Sequence, residues 1–213
     1  MNSVIVDYNS GNLHSARKSF QHVSTEFNKG EVIVSSRPSD ILKADRIILP
    51  GVGSFDDCRK GLSNISDLFE AIEQRVLKEG YPFLGICVGH QMMATTGYEN
   101  NCETAGFNWI PGDVVKISPL DDALKIPHMG WNSLKFDAQH SLFHDISDGD
   151  HVYFVHSYHL VPKNKEHRIS YTSYSQDITA AIIKDNIVGT QFHPEKSQTT
   201  GLTFIRNFLS WKP

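Results

Sequence analysis

The stretch Phe83-Leu84-Gly85-Ile86-Cys87-Val88-Gly89-His90-Gln91 decides how the chain is read. A short apolar run ends in a cysteine with a glycine two residues away on either side. Gly-x-Cys-x-Gly is the spacing of a nucleophile elbow, where a strand stops, turns sharply and a helix starts at once. Side chains on the flanks would collide in so tight a turn, so glycine is required. A thiol placed there stands at a helix N-terminus, where partial positive charge favours the thiolate. The N–H of the next residue, Val88, is aimed at any oxyanion formed on attack. A buried structural cysteine shares this local signature. The strand before and the helix after favour the elbow.

Outward from this stretch, short β-branched runs alternate with helical patterns. Ser3–Val6, Glu31–Val34, Arg46–Leu49 and Pro82–Ile86 read as strands with nearly continuous apolar character. Leu13 to about Phe20, a short piece near Ser36–Leu42, Asp56 to Glu79 with a break near Asn64, and Gly89 onward read as helices. Alternation of this kind predicts a mostly parallel sheet with helices on both faces. From Gly106 to Gly189 strand and turn signals dominate: Asp113–Ile117, His151–Val161 as one strand, and Ile178–Phe192 as a hairpin turning at Asp185-Asn186. Leu202, Ile205, Phe208 and Leu209 form one stripe of a C-terminal helix. The expectation is one α/β domain over residues 1–213, with an added antiparallel region.

Composition excludes several classes. The 213 residues carry 20 Lys and Arg against 24 Asp and Glu, a formal net charge of -4, which argues against a nucleic-acid binder. The N-terminus reaches Asp7 without a basic region and is not a signal peptide. No apolar run approaches the roughly 18 residues of a membrane span. Three cysteines with no Cys-x-x-Cys do not make a disulfide framework, so a reducing, cytoplasmic setting is expected. No cofactor or metal is expected either. Pro50-Gly51-Val52-Gly53 lacks the Gly-Lys-Ser/Thr ending of a phosphate loop. On a strand, His151 and His156 would lie on opposite faces. Cys58 and Cys102 read as structural.

A thiolate needs a base, and the base an orienter. Gln191-Phe192-His193-Pro194-Glu195-Lys196-Ser197 closes a predicted strand, where residues two apart share a face. His193 and Glu195 would then point together, with Pro194 holding His193 extended. Gly51-Val52-Gly53, at the end of a predicted parallel strand, lets the backbone approach a ligand closely and is the candidate second oxyanion donor.

Pro50–Phe55, Gly85–Gln91 and Gln191–Ser197, in this order and spacing, resemble the class I, triad-type glutamine amidotransferases. Ile126–Asn132 and Val152–His159 are similar to the branch serving as glutaminase subunit of imidazole glycerol phosphate synthase in histidine biosynthesis. The resemblance implies a flavodoxin-like fold and hydrolysis of glutamine by Cys87, His193 and Glu195. Val88, Gly51, Val52 and Gly53 would form the oxyanion hole. Gln91, Glu99, His156, Ser157 and Tyr158 would hold the glutamine α-amino and α-carboxyl groups. It further implies ammonia transfer to a cyclase (synthase) partner that makes imidazole glycerol phosphate and AICAR. Pro127, His128, Met129, Gly130, Trp131 and Asn132 would lie at the heterodimer interface. Trp131 stands in a segment without helical or strand period, where core and interface are both open. His90 departs from the Met usual in this branch and reads as packing or helix surface. A paralogue feeding a cyclase-like partner in surface-sugar biosynthesis, a thiol hydrolase of similar elbow architecture and a catalytically silent binding module are the competing readings.

Overall fold

The computed structural model describes residues 1–121 and 123–213. Fourteen strands occur among the described residues: β1 (Asn2–Val6), β2 (Glu31–Ser35), β3 (Arg46–Gly51), β4 (Phe83–Cys87), β5 (Thr96–Glu99), β6 (Cys102–Ala105), β7 (Gly112–Lys116), β8 (His128–Ser133), β9 (Lys135–Phe136), β10 (His151–His156), β11 (Tyr158–Pro162), β12 (Arg168–Ser173), β13 (Asp177–Lys184) and β14 (Ile187–Thr190). The α-helices are α1 (Leu13–Glu26), α2 (Pro38–Ile41), α3 (Phe55–Ser63), α4 (Leu68–Glu73), α5 (Val88–Gln91) and α6 (Gln198–Ser210).

The main sheet runs β2-β1-β3-β4-β14-β13-β12-β9. Its first five strands are parallel, in the order that defines the flavodoxin-like winding. The remaining three extend it antiparallel. Val4, Ile5, Val6, Ile47, Ile48, Leu49, Phe83 and Leu84 are wholly buried, as parallel strands covered on both faces must be. Helix α1 packs on α6, while α2, α3 and α4 pack as a second group. Smaller pieces stand beside the sheet: the antiparallel β8–β10 ribbon and the mixed sheet β11-β7-β5-β6, in which β5 and β7 run parallel.

Three local expectations change. The helix starting at the elbow lasts one turn, and the chain then forms the β5–β6 hairpin, turning at Asn100 and Asn101 with φ of 52° and 60°. Two consecutive left-handed asparagines are a hairpin-turn signal. His151–Val161 is two strands, not one: β10 pairs with β8 and β11 with β7, parted at Ser157. Residues 128–133 form strand β8 although they show no strand period. Polar His128 faces inward while Met129 and Trp131 face outward, which inverts the usual alternation.

One buried cation ties the sheet to the last helix. Arg46, at the start of β3, is 5% exposed. Its guanidinium donates to the Phe208 carbonyl at 3.0 Å and the Trp211 carbonyl at 2.7 Å, and reaches the Met1 sulfur. Cations at a helix C-terminus satisfy carbonyls that lack intrahelical partners. Arg46→Met keeps the aliphatic bulk and removes both bonds. Urea unfolding should show a loss of about 2–3 kcal/mol; a change below about 0.5 kcal/mol would mean the clamp is not stabilising.

Candidate active site

The elbow forms as its glycine spacing requires. Cys87 ends β4 and caps α5 with φ 55°, ψ -110°, a strained backbone for a residue with a side chain. A Cβ on Gly85 would lie 2.5 Å from the Gly89 carbonyl oxygen. One on Gly89 would lie 1.9 Å from the Leu49 carbonyl oxygen, and one on Gly51 would lie 2.8 Å from the Gly89 nitrogen. The three glycines let β3, β4 and α5 approach backbone to backbone beneath the thiol.

His193 and Glu195 meet, though not as neighbours on a strand face. Strand β14 ends at Thr190, and Pro194–Lys196 form a 3₁₀ turn with His193 extended before it. Within this turn His193 Nδ1 lies 2.7 Å from Glu195 Oε1, the side chains being 2% and 3% exposed. The His193 N–H donates to the Tyr153 carbonyl at 3.0 Å, and the Ser197 hydroxyl donates to the His193 carbonyl at 2.6 Å. A Cβ on Gly201 would lie 1.9 Å from the Pro194 carbonyl oxygen, so α6 presses directly on the turn. His193 Nε2 is buried without a partner among the described residues. Burial by itself lowers the His193 pKa; its interaction with the neighbouring Cys87 and then the bond to Glu195 outweigh it and raise it to about 10. The imidazole is thus held as an imidazolium beside sulfur.

Cys87 and His193 open on a cavity of about 530 Å³, lined also by Val52, Gly53, Val88, Gln91, Glu99, His156, Ser157 and Tyr158. All five residues expected to bind substrate therefore face one space. The sequence reading missed Lys116, Asn100 and Lys196 on the same wall. It also assigned no role to Gln191, which is wholly buried, donates to the Cys87 sulfur at 3.7 Å and accepts from Gln91 Nε2 at 2.9 Å. Glu99 accepts from the Phe55 N–H at 2.7 Å, so one oxygen is committed to the start of α3. The Val52 N–H is turned to the Ser10 hydroxyl at 3.4 Å, and the Val52 carbonyl accepts from Ser10 at 2.8 Å. Of the expected oxyanion donors, Val52 is therefore engaged elsewhere in this conformation.

The expected interface segment divides. Met129 and Trp131 are 65% and 46% exposed, on one side of β8. Trp131 is not a core residue. His128 is corrected: it is 3% exposed, stacked on Phe154 and tilted against Tyr174, and not on the exposed face with Met129 and Trp131. Pro127 lies beside the cavity, and Asn132 donates to the Ser173 carbonyl at 3.1 Å. His90 is a fully buried packing residue, not a helix-surface one. Cys58 is buried against Ser10 and Val52, whereas Cys102 is exposed. Among the described residues no three His, Cys, Asp or Glu side chains form a group able to hold a metal, and no helix is long and apolar enough to cross a membrane.

A sheet of this order with a cysteine elbow and a His-Glu pair over one cavity belongs to the class-I glutamine amidotransferases, and the chain is a member of that family, whose sequence profile matches residues 4–211. Within the family it falls in the branch of imidazole glycerol phosphate synthase subunit HisH: it is 55% identical over 213 residues to that subunit from Cereibacter sphaeroides, with all of both chains covered. Identity to the Ruegeria pomeroyi subunit HisH is 51%, again over the whole of both chains. The fold is similar to a solved glutamine amidotransferase at TM-score 0.71 and 13% identity, covering 97% of each chain. It is also similar to a glutamine amidotransferase from Thermotoga maritima at TM-score 0.60 and 16% identity, covering 92% of this chain and 76% of the other.

Burial and charge together set the acid stability. Desolvation lowers His90 and His156 to about 3 and His128 and His159 to about 4. Unfolded, all four titrate near 6.5. As pH falls from about 6.5 to about 4 the unfolded chain takes up protons that the folded one refuses, so stability falls. His193, raised to about 10 in the fold, is already protonated there and opposes this loss only near pH 6.5; it adds nothing once the unfolded histidine is also protonated, below about pH 5.5. The slope should reach about 1.4 kcal/mol per pH unit for each histidine. His90→Met removes one of the four and two ring nitrogens that have no partner among the described residues. The variant should be about 1–3 kcal/mol more stable at pH 7 and lose one proton from the slope. Denaturant unfolding across this pH range measures both; a flat profile, or a less stable variant, contradicts the account.

Proposed function

We infer that the chain is the glutamine-hydrolysing subunit of imidazole glycerol phosphate synthase, acting in histidine biosynthesis. The single observation that carries the chemistry is that Cys87 and His193 open on one cavity while Glu195, buried, is bonded to the far nitrogen of His193. Full-length identity of 55% to a HisH subunit favours this branch over the surface-sugar and general thiol-hydrolase readings.

Cys87 thiolate attacks the side-chain amide carbon of glutamine. Negative charge gathers on the amide oxygen and is met by the Val88 N–H and the Gly51–Gly53 backbone once Val52 leaves Ser10. His193 Nε2 gives its proton to the departing nitrogen, ammonia leaves, and a γ-glutamyl thioester remains on sulfur. His193, now neutral, takes a proton from water. The hydroxide cleaves the thioester to glutamate and restores the thiolate–imidazolium pair. Glu195 keeps the ring oriented and compensates its charge throughout. Gln91, Glu99 and the His156-Ser157-Tyr158 wall hold the α-amino and α-carboxyl groups. The ammonia passes to a cyclase partner in a heterodimer, which uses it to form imidazole glycerol phosphate and AICAR. One domain spans the chain, and free thiols at Cys58, Cys87 and Cys102 suit the cytoplasm.

Cys87→Ala should abolish glutamine-dependent synthesis by the complex while leaving synthesis from added ammonia intact, because the second reaction uses the partner's site. Steady-state rates with each nitrogen source decide it. Glutamine hydrolysis persisting in the variant would remove Cys87 as nucleophile.

Met129 and Trp131 form the docking face. Because Trp131 is exposed, Trp131→Ala should leave the free subunit's melting temperature unchanged and weaken the complex by roughly 2 kcal/mol, about 30-fold in Kd. Calorimetric titration with the cyclase measures the affinity. A lower melting temperature with unchanged affinity would return Trp131 to a structural role.

A further inference from the structure

A chain of hydrogen bonds runs inward from the strand that bears the docking face. Asn132 Nδ2 lies 3.2 Å from His128 Nε2, His128 Nδ1 lies 3.0 Å from His156 Nε2, and His156 Nδ1 lies 2.8 Å from the Tyr158 carbonyl oxygen. The carbonyl accepts only, so His156 carries its proton on Nδ1 and must accept at Nε2. His128 therefore donates from Nδ1 and accepts from Asn132 at Nε2. Every member has one direction, and both rings are neutral. The same Tyr158 carbonyl accepts from Gln91 Nε2 at 2.9 Å, and Gln91 also donates to Gln191, which donates to the Cys87 sulfur. Two buried donors thus fix one peptide carbonyl in the cavity wall, Gln91 from the elbow helix and His156 from the end of β10, the latter backed by His128 on β8.

The geometry points to His128 as a positioning residue for glutamine: through His156 it sets the 156–158 wall, and it ties that wall to the strand whose outer side carries Met129 and Trp131. This rests on the glutaminase reading above. His128 touches no substrate. It is immobilised by stacking, with ring centroids 4.9 Å from Phe154 and 4.2 Å from Tyr174. It stands in register with His156, directly across the β8–β10 ribbon. A shift of β8 relative to β10 on docking must stretch or shorten this one bond. The wall then either keeps or loses the orientation that fits the α-amino and α-carboxyl groups.

The test uses the complete chain in complex with its cyclase partner. His128→Phe keeps a ring in the stack and leaves His156 Nε2 without a donor; His128→Gln restores a donor amide. For His128→Phe, KM for glutamine should rise about fivefold or more, with kcat reduced less and ammonia-driven synthesis unchanged. His128→Gln should return KM to within about twofold of the wild type. The effects of Trp131→Ala and His128→Phe on partner-stimulated hydrolysis should be non-additive. Unaltered KM with additive effects overturns the proposal and leaves His128 as packing. Should His128→Phe fail to assemble, Asn132→Ala in the same assay must raise KM about twofold, and an unchanged value overturns the proposal equally. A wild-type complex that hydrolyses no glutamine overturns the glutaminase reading and this one with it; a hydrolysing wild type beside an unaltered variant overturns this one alone.

Discussion

The site depends on one close approach. At Gly51, Gly85 and Gly89 the backbones of β3, β4 and α5 lie so near each other that no Cβ fits between them. That contact places Cys87 at the end of a rigid parallel strand with a left-handed backbone, and holds it there against its own steric preference. It also sets Gly51 in register with Cys87, and Val52, Gly53 and Val88 line the same cavity as the thiol. Because both strands are buried by helices, the strain is held by the whole sheet and not by a loop.

Around this elbow, five buried histidines divide into two electrostatic kinds. Each is desolvated, which alone disfavours charge. His193 lies against a carboxylate and a thiol, and these reverse the sign. His90, His128, His156 and His159 have no carboxylate close enough to do so and stay neutral. Neutrality lets His156 and His128 each donate one bond and accept another, which imidazolium could not do. The cavity is therefore lined by one protonated ring, His193, and one neutral ring, His156, with the other neutral rings packed behind it.

The β8–β10 ribbon links the cavity to the exposed face proposed for docking. On one side it exposes Met129 and Trp131; on the other it supports both halves of the cavity. Tyr153 stands across from Trp131 in the register, their rings 6.1 Å apart, and its carbonyl anchors the His193 backbone. His156 stands across from His128 and leads to the Tyr158 carbonyl. A partner bound on the outer side thus lies one residue layer from the base and one from the substrate wall.

Much of this was legible in the sequence where physics is local. Glycine spacing at 85 and 89 announces the elbow, because backbone crowding permits nothing larger. Continuous apolar runs announce covered parallel strands, and Asp185-Asn186 announces the hairpin that aligns β14 with β4. What the sequence left open depends on contacts between distant segments. His193 and Glu195 meet through a 3₁₀ turn pressed by Gly201, not through strand alternation. Strand β8 escapes periodicity because its polar residue faces inward, where only His156 from another strand can satisfy it. Gln191 is an unremarked neighbour in the chain until folding sets it between Gln91 and Cys87. Local order follows from each residue's own sterics and polarity. The pairing of buried polar groups is decided only when tertiary packing removes water and leaves each donor the one acceptor within reach.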